Sequence, residues 1–147
     1  MSGQSDTGLS AIYRPLKRIP VTTGDVLHGL KASSDEYFGF GEAYFSCVLE
    51  KAIKGWKKHM EMTLNLIVIK GEVRFLVHNE TEGTYSIFQM TPDRGDSYGR
   101  LTVPPGLWVA FGGVAPGESI LLNIASMEHD PAEAVTVPLD AFTWSWM

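Results

Sequence analysis

The chain has 147 residues, 44% of them apolar and 20% charged, with a formal net charge of −5. That length suits one domain with a full hydrophobic core, and the composition is ordinary for a globular protein in water. The acidic balance excludes a general nucleic-acid binder, which needs a broad basic face. No apolar run approaches the ~20 residues that span a bilayer, and the single cysteine, Cys47, excludes an internal disulfide or a multi-thiolate metal site.

The opening stretch, MSGQSDTGLSAIYRP, lacks the charged-then-apolar pattern of a secretory signal. Residues 1–12 are therefore expected to form a flexible lead-in, and one unpaired thiol fits a reducing, cytoplasmic setting. TGDVLHGLKAS, residues 23–33, has the composition of a helical turn. Strands are expected at residues 42–49, 63–69, 72–78, 84–90, 98–103, 107–111 and 119–125. Between them lie the turn signals KG, NETEG, TPDRGD, PPG and APGE. Asp130-Pro131 reads as a second short helix start, with proline at the first helical position. Strands this short and regularly spaced give an all-β sandwich or barrel with one or two short helical segments, in a single domain over residues 1–147.

One stretch concentrates the charge. Lys51, Lys54, Lys57 and Lys58 precede a long alternating apolar run, so an anion site on an acidic protein and a solvated strand entrance are both open. An unbroken strand from 57 to 69 would place Lys57, His59, Glu61, Thr63 and Asn65 on one face. Met60, Met62, Leu64, Leu66 and Val68 would pack on the other. The first face has the character of a small barrel's interior, with a polar ligand at its mouth.

IKGWKKHMEMTLNLIVIKGEVRFLVHN followed by YGRLTVPPGLWVAFGGV resembles the dTDP-4-dehydrorhamnose 3,5-epimerases and related cupin-fold sugar-nucleotide isomerases. The likeness rests on Lys54-Gly55-Trp56-Lys57, Gly71-Glu72-Val73 and Pro104-Pro105-Gly106, in that order. It implies a cupin-type β-jelly-roll, a homodimer, and a pocket inside each barrel for a dTDP-linked 4-keto-6-deoxyhexose of polysaccharide or deoxysugar biosynthesis. In that family a histidine, held by an aspartate, removes the proton beside a keto group, and a tyrosine acts as acid on the opposite face. Here Lys57 stands at the base position, and His59 matches the second histidine of relatives with a His-x-His pair. Asn79 stands at the aspartate position, and the segment NIASMEHDP that should supply the tyrosine contains none.

The resemblance implies His59, Lys57 and Tyr44 as catalytic candidates, Tyr44 being the substitute acid. Lys54 takes the place of a phosphate-binding arginine, and Asn65, Arg74, His78 and Trp56 are further candidate ligand contacts. A metal-dependent relative needs two or three imidazoles. The first motif supplies His59 alone, PPGLWVAFGG supplies none, and His28, His78 and His129 are scattered. No metal or other cofactor is expected. Three functions remain open: an epimerase or isomerase of a sugar nucleotide, a non-catalytic cupin that binds such a ligand or another carbohydrate, and a β domain that only dimerises.

Overall fold

The computed structural model describes residues 9–144. Among the described residues, twelve strands run in the order β1 (Ile12–Pro15), β2 (Arg18–Ile19), β3 (Val26–Leu27), β4 (Glu42–Leu49), β5 (Ile53–His59), β6 (Leu64–Lys70), β7 (Val73–Asn79), β8 (Thr84–Met90), β9 (Gly99–Val103), β10 (Trp108–Gly113), β11 (Glu118–Ala125) and β12 (Ala134–Thr136). One five-stranded sheet has the order β1-β9-β6-β11-β4 and the other β12-β5-β10-β7-β8; β2 and β3 form a separate hairpin. All these ladders are antiparallel. The two large sheets face each other as the walls of a β-jelly-roll.

Alternation fills the space between the walls. Leu64, Leu66 and Val68 of β6 and Leu101 and Val103 of β9 meet Val73, Phe75 and Val77 of β7 and Val109 of β10 in one buried cluster. The outer face of the second sheet carries a separate aromatic layer, in which Trp56, Leu76, Trp108 and Ala110 are covered by Val137, Phe142 and Trp144 from the chain after β12. On the outer face of the first sheet, the loop before β4 brings Glu36 onto Arg100, at 2.8 Å, and Arg14, at 3.1 Å.

Three expectations change. The strand expected to run unbroken from 57 to 69 stops at His59 and resumes at Leu64 in the other sheet. The amides of Met60, Glu61 and Met62 all donate to the Glu133 carboxylate and that of Thr63 to the Ser126 hydroxyl, so none is available to a ladder there. The break reverses parity: Leu64 and Leu66, not Thr63 and Asn65, share the interior with Lys57 and His59. No helix forms over 23–33, because Asp25 accepts from the Val21 amide and from Arg18, and Val26–Leu27 pairs with Arg18–Ile19. Short 3-10 helices occur instead at Gly95–Ser97, Pro131–Glu133 and Leu139–Ala141. Of the expected lead-in, residues 1–8 lie outside the described residues, the Leu9 carbonyl accepts from Asn79, and Ile12 opens β1.

Between β5 and β10 the register slips by one residue: Val109 faces Lys57, yet Phe111 faces Lys54. The extra residue on β5 is a bulge, and it turns Lys54 and Lys57, three apart, to the same side. Gly55 makes this possible. Its φ of +138° is a conformation that side chains rarely adopt, and a Cβ there would lie 2.5 Å from the Ala110 Cβ. Gly55→Ala is expected to destabilise the fold by about 1–3 kcal/mol from backbone strain, with the contact adding to it, seen as a lowered midpoint in thermal unfolding.

Candidate active site

At one end of the barrel the core opens into a cavity of about 270 Å³ between the sheets. Its floor is Leu64, Leu66, Val109, Phe111 and Leu121. The polar groups converge from both walls: Lys54, Lys57 and His59 of β5 with Thr136 of β12 on one side, and Tyr44 and Ser46 of β4 with Asn123 of β11 on the other. The volume falls just below the ~300–1,000 Å³ that encloses drug-sized ligands, which suits one sugar ring with the rest of a ligand outside the mouth. Two larger clefts, of about 490 and 510 Å³, lie elsewhere, and neither contains a histidine bonded to a carboxylate.

The His59 imidazole is bonded through Nδ1 to Glu133 Oε1. Both side chains are buried, 10% and 3% exposed. The other carboxylate oxygen, Oε2, accepts from the amides of Met60 at 3.1 Å, Glu61 at 3.1 Å and Met62 at 3.2 Å. Burial alone would push the Glu133 carboxyl up. The bonds from His59 and from the Glu61 and Met62 amides outweigh it and hold the group below the ordinary carboxylate range. An ionised carboxylate only accepts, so Nδ1 carries the shared hydrogen and Nε2 is the ring nitrogen left with a lone pair. A histidine oriented in this way by a buried acid is the arrangement of a general base.

Across the cavity, the Tyr44 hydroxyl accepts from Asn123 Nδ2 at 2.9 Å. Lys54 Nζ donates to the Cys47 carbonyl at 2.6 Å, which ties the basic rim of β5 to the edge of the opposite sheet. An ammonium has three donors, so Lys54 keeps capacity for an anion.

The structure thus gathers Lys54, Lys57, His59 and Tyr44 around one cavity and places four other candidates elsewhere. Asn65 faces away from it and bonds the Glu36 carbonyl and the Thr102 hydroxyl. Trp56 is fully buried in the outer aromatic layer, with its indole N–H on the Leu139 carbonyl. His78 shares that layer, stacked on Tyr85 at 4.0 Å with Nδ1 on the Thr84 carbonyl. Arg74 bonds Gln89 on the outer face of β7. Asn79 caps the β7–β8 turn through the Glu82 amide, so the carboxylate beside the histidine comes from Glu133 instead.

Sequence reasoning missed Glu133 and Asn123. Both had a signal. Asp130 caps the Ala132 amide at 3.0 Å, with Pro131 starting a single 3-10 turn, and that turn fixes where Glu133 points. Asn123 shares the inward-facing parity of Leu121 and Ala125, and an amide between apolar inward positions must find partners. Among the described residues, no group of three or more His, Cys, Asp or Glu side chains could hold a metal ion.

A jelly-roll with an acid–base pair enclosed in its barrel defines a cupin-type isomerase class. In line with this, the structure superposes on a dTDP sugar isomerase from Desulfovibrio desulfuricans with a TM-score of 0.86 at 31% identity, over 92% of this chain and 90% of that one. The chain belongs to the family of dTDP-sugar isomerases and epimerases. Two more distant proteins share its fold. A dTDP-4-dehydrorhamnose 3,5-epimerase from Sulfolobus tokodaii has a TM-score of 0.79 at 18% identity, over 93% of this chain and 82% of that one. A sugar 3,4-ketoisomerase from Thermoanaerobacterium thermosaccharolyticum, in complex with TDP, has a TM-score of 0.71 at 19% identity, over 85% and 86%. No family model matches the chain, and no curated protein matches it in sequence.

Because Glu133 ionises more readily folded than unfolded, the unfolded chain takes up the proton first as pH falls. The stabilisation is complete above the ordinary glutamate value of about 4.3 and is lost as pH drops through the lower folded value. Glu36 and Glu72, lowered respectively by the Arg14 and Arg94 hydrogen bonds, act in the same direction. Urea titrations between pH 3 and 7 are expected to show a fall in stability below about pH 4.3. Glu133→Ala should start about 3–5 kcal/mol lower and show a shallower acid slope.

Proposed function

We propose that the protein is a single-domain isomerase acting on a dTDP-linked 4-keto-6-deoxyhexose in deoxysugar or polysaccharide biosynthesis, without metal or organic cofactor. The observation that carries this reading is the His59–Glu133 pair facing Tyr44 across one small cavity. The Glu133 carboxylate does more than hold the corner amides, since its other oxygen orients an imidazole that lines the cavity, and this weighs against the non-catalytic reading.

The geometry supports the following reaction. The sugar ring lies over the apolar floor with its diphosphate at the mouth, near Lys54. His59 Nε2 takes the proton from the carbon beside the keto group, and the electron pair moves onto the keto oxygen. Lys57, on the same wall and exposed at the mouth, stabilises the resulting enolate with its positive charge. Lysine suits this role better than that of base, since an ordinary lysine is almost wholly protonated at neutral pH. Tyr44 returns a proton from the opposite wall, which inverts the carbon, and the imidazolium and phenolate reset by exchange with water at the mouth.

The experiment is deuterium wash-in on dTDP-4-keto-6-deoxyglucose in D2O, followed by NMR. The expected outcome is exchange beside the keto group, lowered by about 10²-fold or more in His59→Gln and weakened through binding in a Lys54→Ala/Lys57→Ala double variant. Absence of exchange by the unaltered protein would defeat the isomerase reading.

We further propose that it works as a homodimer in the cytoplasm. Among the described strands β4 ends its sheet, its outer face presents Phe45 and Leu49 at 63% and 61% exposure, and Phe38 and Phe40 in the segment before it are exposed at 59% and 60%. An apolar row of this kind at a sheet edge is suited to a second copy. The cytoplasmic setting is supported by the free, exposed Cys47, and no helix among the described residues is long and apolar enough to cross a membrane. Sedimentation velocity is expected to give a dimer for the unaltered chain and a monomer for Phe45→Glu.

A further inference from the structure

We infer that Asn123 is a positioning residue that directs the Tyr44 proton into the cavity, and so determines whether a carbon deprotonated by His59 is inverted; this rests on the isomerase reading above. Asn123 is 2% exposed and lines the cavity beside Tyr44. Its amide could in principle offer either end to the phenol, but its surroundings allow only one. Oδ1 accepts the backbone N–H of Asn65 at 3.3 Å. A backbone N–H can only donate, so the oxygen must face Asn65 and the NH2 group must face Tyr44.

The consequence reaches the phenol. With Nδ2 donating to it at 2.9 Å, the Tyr44 oxygen is the acceptor in that bond. Its own hydrogen is not spent on Asn123 and is available to whatever occupies the cavity. The same N–H also stabilises the phenolate left after the proton has gone. Asn65 is itself fixed, its side-chain oxygen accepting from Thr102 at 2.6 Å and its Nδ2 donating to the Glu36 carbonyl at 3.1 Å. The direction of the tyrosine hydrogen is therefore set by a chain of bonds running through β6, β9 and β11, on the wall opposite His59.

The isosteric test is Asn123→Asp. Oδ1 still accepts from Asn65, but the second oxygen now accepts the phenolic hydrogen and draws it out of the cavity. With dTDP-4-keto-6-deoxyglucose in D2O, wash-in and stereochemistry are read from the same NMR sample. The expected result is that Asn123→Asp and Tyr44→Phe lose inversion by about 10²-fold while His59-dependent wash-in continues with retention of configuration. If Asn123→Asp does not fold, Asn123→Leu decides, with wash-in kept and inversion reduced. Inversion unchanged in the folded variant, or wash-in and inversion lost together, overturns the assignment of Asn123 while leaving the base in place. Absence of wash-in by the unaltered protein overturns the isomerase reading and this inference with it.

Discussion

The Glu133 carboxylate is the constraint around which the rest of the site is arranged. One oxygen holds His59 and the other collects the amides of Met60, Glu61 and Met62. Those three amides lie where the chain leaves one sheet for the other, so a single buried anion both forms the corner and orients the imidazole. Removing it would leave the Glu61 and Met62 amides without that acceptor, while Met60 keeps the Glu133 backbone carbonyl at 2.8 Å, and would free the histidine to turn, which is a larger loss than one ion pair. Backbone pairing reinforces the placement, because Ala134 lies opposite His59 in the β12–β5 ladder.

The second sheet has two distinct faces. Its inner face holds the lysines, the histidine and the apolar floor; its outer face holds an aromatic layer in which Trp56 meets Phe142 edge-on at 5.5 Å. Trp56 and Val137 also exchange backbone hydrogen bonds, at 3.2 and 3.1 Å. The aromatic layer therefore anchors the chain just beyond Glu133, and packing on the dry side of the sheet supports electrostatics on the wet side. Lys58 belongs with the dry side despite its charge, with its ammonium 4.8 Å from the centre of the Trp108 ring.

Much of the fold was legible because strands that bury one face leave an alternating record. Glu42–Leu49 and Thr84–Met90 have the bounds expected of them, and the other expected strands agree to within a residue or two at either end. What could not be read was decided by long-range pairing. β5 has no alternating signature because Gly55 and its bulge interrupt the period, and β12 is three residues placed by its ladder with β5. The residues gathered at the cavity were legible at Lys57 and His59, where family likeness and parity agreed, and at Lys54 from likeness alone, because the bulge overrides parity there. Asn65 lies elsewhere because the strand breaks between 59 and 64, and Trp56 and His78 because their rings pack in an aromatic layer with their polar atoms on the Leu139 and Thr84 carbonyls. Glu133 was invisible as the partner of His59 because 74 residues separate them.

That separation also bears on how the protein is made. His59 ends β5, whose ladder partners β10 and β12 are both translated after it, and the carboxylate that bonds it immediately precedes β12. The pairing of His59 with Ala134 and its bond to Glu133 therefore both wait for the same late segment. The histidine acquires its alignment only once that segment has left the ribosome and docked, so closing the edge of the sheet and orienting the ring are a single event in the making of the protein.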